Sequence, residues 1–403
     1  MKRMKKWHQA AGRAGAWGLV TAVFVSAVPV QAQAGVPEFA RSEEEWAKLR
    51  DDVIEYEELQ GLVHEYNATA KKNQIDLNQF RKDYGETNDE WADRYRELAD
   101  DLEAGLDYPD VDDSNYAAVM SSIVTSEMQI DAWRETADDA LEDYQTFYYD
   151  TCLAECMLVF QAQTNYISLY QGQLQQAIDE KNLELLQEQF DCVEHRLALS
   201  MATDSEMLSL RESVRNGEKA VQDDKDSLKN LYERTIVMLG WNHDAAPEIC
   251  EIPEEVFEER LARIEAMDPA ADKAVAIENS YKMKSNKKKM ENSLSSDAKE
   301  NLSETIREDE QSIGADLTSA YQNVLACEAA YDLNVVLAEL ERDNQRRAEL
   351  KYELGTISKM ELLSQEIATV QAEGAMESAR LQLFQAVENY DWMMNGLAGA
   401  SAS

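Results

Sequence analysis

Proline, glycine and cysteine are scarce in this chain. It has 6 prolines, 15 glycines and 5 cysteines among 403 residues, and the stretches 110–246 and 270–403 contain no proline. Because proline and glycine are the residues that most often interrupt helices, their scarcity permits very long helices in both stretches. An odd number of cysteines is a poor basis for a disulfide framework. Cys152 and Cys156 lie four apart on one helical face, where bridging geometry is poor, so we predict that they are small core residues.

Sequence motifs for catalysis and cofactor binding are also lacking. There is no Cys-x-x-Cys, glycine-rich phosphate loop, nucleophile elbow or paired-histidine motif. An acidic loop begins like a calcium site but lacks the central glycine and the terminal glutamate of an EF-hand; its members are Asp107, Asp110, Asp112, Asp113 and Asn115. We therefore predict that the chain is not an enzyme and has no cofactor and no metal site.

Positive charge is in short supply. Lysine and arginine number 39 against 79 aspartates and glutamates, which gives a formal net charge of −40. This balance excludes nucleic acid as a partner. It is typical of a solvated surface on long helices, and it would also favour cations or basic partners.

The first thirty-four residues have a composition of their own. Basic residues are followed by an apolar run from Ala14 to Val30 and by a small-x-small cleavage site, Ala32-Gln33-Ala34. This pattern predicts a secretory signal peptide. Gly35 follows the predicted cut, so no thiol is present there to accept a lipid. If the segment stayed as a membrane span, the rest of the chain would still lie outside the cytoplasm.

The rest of the chain contains an internal duplication. Two similar stretches, beginning at Arg196 and Lys351, each end one helix, at Ser200 or Gly355. Each then opens a second helix with a capping box, whose glutamate is Glu206 or Glu361. Each repeat should therefore contain a sharp helix-turn-helix tip.

Heptad patterns follow both tips. Apolar or small residues recur along the helix after the first tip at Met207, Val214, Val221, Leu228 and Thr235, and along the helix after the second at Ala368, Ala372, Ala375, Ala379 and Ala386. These patterns predict an all-α fold of long antiparallel coiled-coil helices in two tandem repeats, with little or no β structure. The predicted segments are a signal peptide over 1–34, an N-terminal segment over 35–42, a first repeat over 43–245, a linker over 246–253, a second repeat over 254–396 and a tail over 397–403.

Several motifs resemble those of the TolC-type outer-membrane efflux family. They are Ala320-Tyr-Gln-Asn-Val-Leu before the second tip, Leu354-Gly-Thr-Ile-Ser-x-x-Glu-Leu-Leu at that tip, Leu261-Ala-Arg-Ile-Glu-Ala-Met-Asp-Pro, and Met238-Leu-Gly at the end of the first repeat. The resemblance implies a homotrimer whose helices form a hollow tunnel. It also implies that the tips dock onto an adaptor, a membrane-fusion protein, which works with an ABC-type or other inner-membrane transporter.

The resemblance assigns roles to particular residues. Those facing the adaptor would be Leu199, Ser200, Met201, Leu354, Gly355 and Thr356. A gate facing the lumen would use Glu206, Tyr352 and Glu361, with three copies of Glu361 forming a carboxylate ring around the axis. The alternative for both glutamates is structural, since each occupies the third position of a capping box, and the two roles are compatible.

The location follows from two opposing indications. The resemblance implies the outer membrane, but the connectors over 84–115 and 292–312 lack the alternating strands that relatives carry there. We therefore expect a protein of the cell envelope that does not insert as its relatives do. A basic island suggests contact with an anionic envelope polymer or lipid headgroups, with a solvated face as the alternative; its members are Lys282, Lys284, Lys287, Lys288 and Lys289.

Two hypotheses for function remain. The first is a non-catalytic TolC-like duct or docking component of an efflux system. The second is an exported coiled-coil structural or interaction protein that forms no channel. The paired tips favour the first hypothesis, and the missing strands favour the second.

Overall fold

The structure is a computed structural model that describes residues 41–110 and 115–400. The predicted signal peptide, Asp112, Asp113 and the last residues of the predicted tail lie outside the described residues. Of the described residues, 41–46 belong to one unit and those from Ala47 onward form a second, compact unit.

Helices account for nearly all of the described secondary structure. In chain order the helices are α1 (Glu43–Lys48), α2 (Leu59–Tyr66), α3 (Ala68–Tyr84), α4 (Asn88–Ala104), α5 (Tyr116–Asp138), α6 (Tyr144–Ala198), α7 (Asp204–Met238), α8 (Glu254–Ala262), α9 (Pro269–Asn279), α10 (Tyr281–Asn292), α11 (Ser296–Glu353) and α12 (Lys359–Trp392). The described strands, β1 (Val53–Ile54) and β2 (Glu248–Ile249), have two residues each.

Four long helices form one layer in the order α7, α6, α12, α11. Within each hairpin the helices are antiparallel, α6 against α7 and α11 against α12, and α6 also packs against α12. Lys359 at the start of α12 lies 3.2 Å from Glu188 on α6, so this ion pair links the two hairpins near their tips. The layer therefore has two edges, α7 and α11.

Close packing between the hairpins depends on a glycine. Gly374 on α12 is buried so tightly against α6 that an added Cβ would lie 2.2 Å from Cδ1 of Ile178. The predicted alanine pattern beside it is only partly right, because Ala379 and Ala386 are buried whereas Ala375 is exposed. On α7 the predicted positions Met207, Val221 and Thr235 are buried, as the heptad pattern requires.

The two short strands tie the start of the first repeat to the predicted linker. They pair in parallel, with Val53 opposite Glu248 and Ile54 opposite Ile249. The hydroxyl group of Tyr166, a fully buried residue of α6, lies 3.2 Å from the carbonyl oxygen of Ile54 and also donates to Cys250. The pair is thereby fixed against the middle of the helical layer.

In each repeat, shorter helices precede the long helix at the end away from the tip. In the first repeat, α4 and α5 pack on each other as a hairpin. In the second repeat only residues 293–295 separate α10 from α11, so most of the predicted 292–312 connector belongs to the long helix. Asp139, after α5, accepts hydrogen bonds from Ser293 Oγ and from the backbone N–H of Leu294. This contact joins the base of the α4–α5 hairpin to the start of α11.

The prediction of an all-α fold with long antiparallel helices in two tandem repeats is confirmed. The lengths of α6 and α11, 55 and 58 residues, correspond to about 80 to 90 Å. Across the described residues, none of the helices combines the length and the apolar character that a membrane crossing requires.

Candidate functional site

The helix that leads into each predicted tip ends with the same hydrogen-bond pattern. At the first tip the N–H groups of Ser200 and Met201 bond the carbonyls of Leu197 and Arg196, at 2.9 and 2.7 Å. At the second tip the N–H groups of Gly355 and Thr356 bond Tyr352 and Lys351 in the same pattern. This pattern is a Schellman motif, which satisfies carbonyls that the ending helix leaves unpaired.

The motif requires one residue with a left-handed backbone. Gly355 has φ 69°, and Ser200 has φ 59° as the one non-glycine residue with positive φ among those described. Because a side chain disfavours this conformation, Ser200 stores backbone strain that Gly355 avoids.

Both tips end with the predicted capping box. Thr203 Oγ1 accepts from the N–H of Glu206 at 3.2 Å, and Ser358 Oγ accepts from the N–H of Glu361 at 3.3 Å. In each box a carboxylate oxygen of the glutamate accepts a hydrogen bond from the backbone N–H of the N-cap residue. Sequence reasoning located these turns correctly because each is closed by neighbours within a few residues.

The tips expose large apolar side chains to solvent. Leu199, Met201 and Leu354 are 71, 67 and 77% exposed. Exposed leucine and methionine at the end of a rigid hairpin offer contact area without conformational rearrangement. The arrangement suits end-to-end packing against another apolar surface.

The two tips lie side by side. A groove of about 480 Å³ runs along the first turns of α7, and its lining includes Ser205, Ser209 and, from the other hairpin, Met360. With the Lys359–Glu188 ion pair, this groove shows that the structure brings the predicted tip residues to one end of the layer.

The predicted gate residues occupy well-defined capping positions. The backbone and hydroxyl hydrogen bonds from Ser358 lower the pKa of Glu361, and nearby Lys351 acts in the same direction. Glu206 Oε1 lies 3.3 Å from Arg196 Nη1. Tyr352, 41% exposed, is on the last turn of α11. The geometry shows the capping role of both glutamates, and their lumen-facing role stays a prediction.

The basic island is largely neutralised by the chain's own acids. Lys282 lies 2.8 Å from Asp309, and Lys289 lies 3.1 Å from Glu142. Lys288 lies 3.5 Å from Asp143. All five lysines of the island are half-buried rather than solvated. Contact with an anionic polymer stays a prediction, and three of the five lysines of the island are already paired with acids of this chain.

A buried ionic contact escaped the sequence analysis. Arg260 on α8 pairs with Glu388 on α12, and Arg263 Nη1 lies 2.6 Å from Asp391 Oδ2. Burial, helped by the neighbouring charge of Glu388, raises the pKa of Asp391 to about 6, although Arg263 opposes the shift. The sequence did hold one sign of this contact, because the two arginines and the two acids are each separated by three positions.

The other candidate sites gained no support. Within the described ranges, no cluster of three or more His, Cys, Asp or Glu side chains is placed to hold a metal ion. Cys152 and Cys156, which were predicted to be small core residues, are half-buried rather than enclosed in the core.

Comparison with known proteins finds similarity in structure alone. No protein-family profile matches the sequence, and no curated protein matches it. The outer-membrane channel OprN is 13% identical with a TM-score of 0.49, over 87% of this chain and 92% of that one. CmeC, an outer-membrane channel of Campylobacter jejuni, is 9% identical with a TM-score of 0.49, over 92% of both chains. VceC, an outer-membrane protein of Vibrio cholerae, is 10% identical with a TM-score of 0.46, over 85% of this chain and 96% of that one.

Proposed function

We propose that this chain is a non-catalytic, TolC-like duct or docking component of an export system in the cell envelope. The observation that carries the proposal is the pair of helical tips, which share one backbone geometry, lie side by side and expose Leu199, Met201 and Leu354. The motif resemblance supplies the rest of the assembly: a homotrimer, an adaptor that meets the tips, and an inner-membrane transporter of the ABC type or another class.

Docking would occur end to end. Each tip is rigid because its backbone groups are satisfied by the Schellman motif and the capping box, so little entropy is lost when another surface packs against it. The exposed leucines and Met201 would enter an apolar surface on the adaptor.

Gating would use the same turns. The capping bonds fix one oxygen of Glu206 and one of Glu361. The other oxygen of Glu361 can face a lumen, whereas the other oxygen of Glu206 is paired with Arg196. Three copies of Glu361 would form a ring that favours cations. Tyr352, on the turn before the second tip, would narrow the same opening, and small shifts of the helices along their seams would widen it.

A photo-crosslinking amino acid at Leu354, introduced in the producing cell, tests the docking role. The matched control is Leu294, which is also a leucine and is 75% exposed, but which lies at the opposite end of α11. We expect a crosslink to a membrane-fusion-type adaptor from position 354 and none from position 294. Identical products from both positions, or no adaptor from either, would refute the docking role.

The second candidate function is a structural or interaction protein of the envelope that forms no channel. The helical connectors favour it, since the far end of the first repeat is a hairpin of α4 and α5. Light scattering of residues 35–403, combined with electron microscopy, separates the two. A ring of three with a lumen supports the duct, and a monomer at every concentration supports the structural role.

A further inference from the structure

Two cysteines on α6 form a pair that the proposed function does not use. Cys152 and Cys156 are four positions apart on one face of the helix, both are half-buried, and neither forms a disulfide. Side chains with this spacing have Cβ atoms about 5–6 Å apart. A disulfide needs a Cβ separation of about 3.5–4.5 Å, so these thiols cannot bond to each other without distorting the helix. A single metal ion between the two sulfur atoms can bridge the longer span.

Helix α10 packs against α6 beside this pair. Lys289 on α10 lies 3.8 Å from Asp150, and Asn292 donates a hydrogen bond to Asp143, the N-cap residue of α6. Because the later residue of α10 contacts the earlier residue of α6, the two helices run antiparallel here. The residues about one turn before Lys289 therefore lie level with the cysteines, which are about one turn after Asp150.

Lys284, at that level, brings a positive charge to the pair. Its ammonium group lies 4.9 Å from the centre of the Tyr281 ring. Burial lowers the pKa of Lys284, whereas the thiols of Cys152 and Cys156, together with Glu278, act on it in the opposite direction. Within the described part of the chain Lys284 belongs to no ion pair, unlike the three other lysines of the basic island that are paired with acids. Because a half-buried cation without a counter-charge is unfavourable, the site would gain from a ligand complex with a negative charge.

Ser285 places a buried hydroxyl group without a partner between the same two helices. It is 2% exposed, and its Oγ forms no hydrogen bond. It is on the same face of α10 as Lys289 and Asn292, four and seven positions later, which contact the start of α6. A buried polar atom without a partner is rare and needs an explanation. A hydroxyl group in this place can donate a hydrogen bond to a metal-bound thiolate sulfur.

The donor atoms select the metal. Thiolates favour soft cations such as Cu(I) over Mg²⁺ and Ca²⁺. Structural zinc is almost always held by four ligands. Among the described residues, no third His, Cys, Asp or Glu side chain is placed to complete a metal-binding group here. Cu(I) is satisfied by two thiolates, and the resulting complex carries one net negative charge, opposite in sign to the ammonium group of Lys284.

We propose that Cys152 and Cys156 bind one Cu(I) ion as thiolates, with Lys284 beside the complex as its counter-ion. Binding would release the two thiol protons to solvent. The pair differs in spacing from the metal-binding motifs whose absence led to the prediction of no metal site. It lies near the end of α6 away from the tips, so the site requires neither a ring nor an adaptor.

Titration of residues 35–403 with Cu(I) alone, without oxygen and in competition with a coloured Cu(I) chelator, tests the site. We expect one ion per chain to be held in this competition, and we expect Cys152→Ser or Cys156→Ser to abolish its binding. Cys192→Ser is the matched control, because Cys192 is a half-buried cysteine of the same helix near the tip, and it should leave the binding unchanged. Circular dichroism checks that each variant is folded.

Lysine variants test the counter-ion separately from the ligands. Lys284→Gln should weaken Cu(I) binding by about tenfold, as the loss of a partner just outside the metal ligands commonly does. Lys287→Gln, at another half-buried lysine of α10, should leave the binding unchanged. Equal effects of the two lysine variants would refute the role of Lys284.

Two outcomes would overturn the site itself. If Cys192→Ser weakens binding as much as Cys152→Ser does, the thiols take up copper without a defined site. If Zn(II) displaces Cu(I) at equal concentration, the site has more ligands than two thiolates and the assignment to Cu(I) is wrong. Either result leaves the proposed export function standing, because that function is tested separately by crosslinking at Leu354.

Discussion

Replacing Asp391 by asparagine should stabilise this protein at neutral pH. The carboxylate is buried on α12, and its Oδ2 accepts no hydrogen bond although Arg263 Nη1 lies 2.6 Å away. Glu388, one turn earlier and also buried, adds a second negative charge. Burial is the dominant cause that raises the pKa of Asp391 to about 6 from an ordinary value of 3.8.

The magnitude follows from the linkage between proton binding and folding. A shift of about two units corresponds to about 3 kcal/mol of unfavourable free energy when the group is ionised. That cost is a net value which already includes the attraction of half-exposed Arg263. Because asparagine is itself a polar group that must be buried, we expect it to recover only part of the cost, a gain of about 1–2 kcal/mol at pH 7.5.

The sign of the pH dependence is fixed by the raised pKa. Between about pH 4 and pH 6 the folded state holds a proton on Asp391 that the unfolded state has released. The stability that this proton contributes is complete below pH 4 and is lost as the pH rises through 6. The advantage of asparagine should therefore be absent near pH 4 and complete above pH 7.

Urea unfolding followed by circular dichroism at pH 4.5 and pH 7.5 measures the effect. Asp332→Asn is the matched control, because Asp332 is exposed on the neighbouring helix α11. A variant at Asp391 that is less stable at pH 7.5, or equally changed at both pH values, would show that the ion pair with Arg263 outweighs the cost of burial.

Two further predictions concern backbone strain and packing. Gly355→Ala should lower the free energy of unfolding by about 1 kcal/mol through left-handed backbone strain alone, because the added Cβ has no neighbour within 4 Å outside the adjoining residues. Ser200→Gly at the other tip should change the free energy measured in thermal unfolding by less than about 0.5 kcal/mol, because relief of that strain is offset by the greater backbone entropy of the unfolded chain. Gly374→Ala should destabilise by about 1–3 kcal/mol, because the new Cβ meets Ile178 between the hairpins. Gly217→Ala, with its nearest contact at 3.2 Å, should be neutral or stabilising, and equal effects at both glycines would contradict this account.

Much of the candidate site was predictable because it is local. The turns at Ser200 and Gly355, and the capping boxes that end in Glu206 and Glu361, are closed by residues no more than five positions apart. Residue type and spacing are sufficient to specify such turns. The same holds for the long helices, whose periodicity is written along one segment.

Contacts between distant segments were not predictable in this way. Arg263 and Asp391 are 128 positions apart, and Asp139 and Ser293 are 154 apart. The alanine pattern on α12 was also misleading, since it does not show that Gly374 is the residue packed tightly against Ile178 of α6. A periodic pattern specifies which face of a helix is buried and leaves open which helix covers it.

The sequence by itself determined the long helices, their ends at the tips, the duplication and the two tips, because these features depend on hydrogen bonds and side-chain spacing within a few turns. Only the tertiary structure decided the order α7, α6, α12, α11, and with it which apolar surfaces are covered. It also decided where charges are buried, as at Asp391. These features depend on the meeting of surfaces far apart in the chain, where shape and desolvation act between segments.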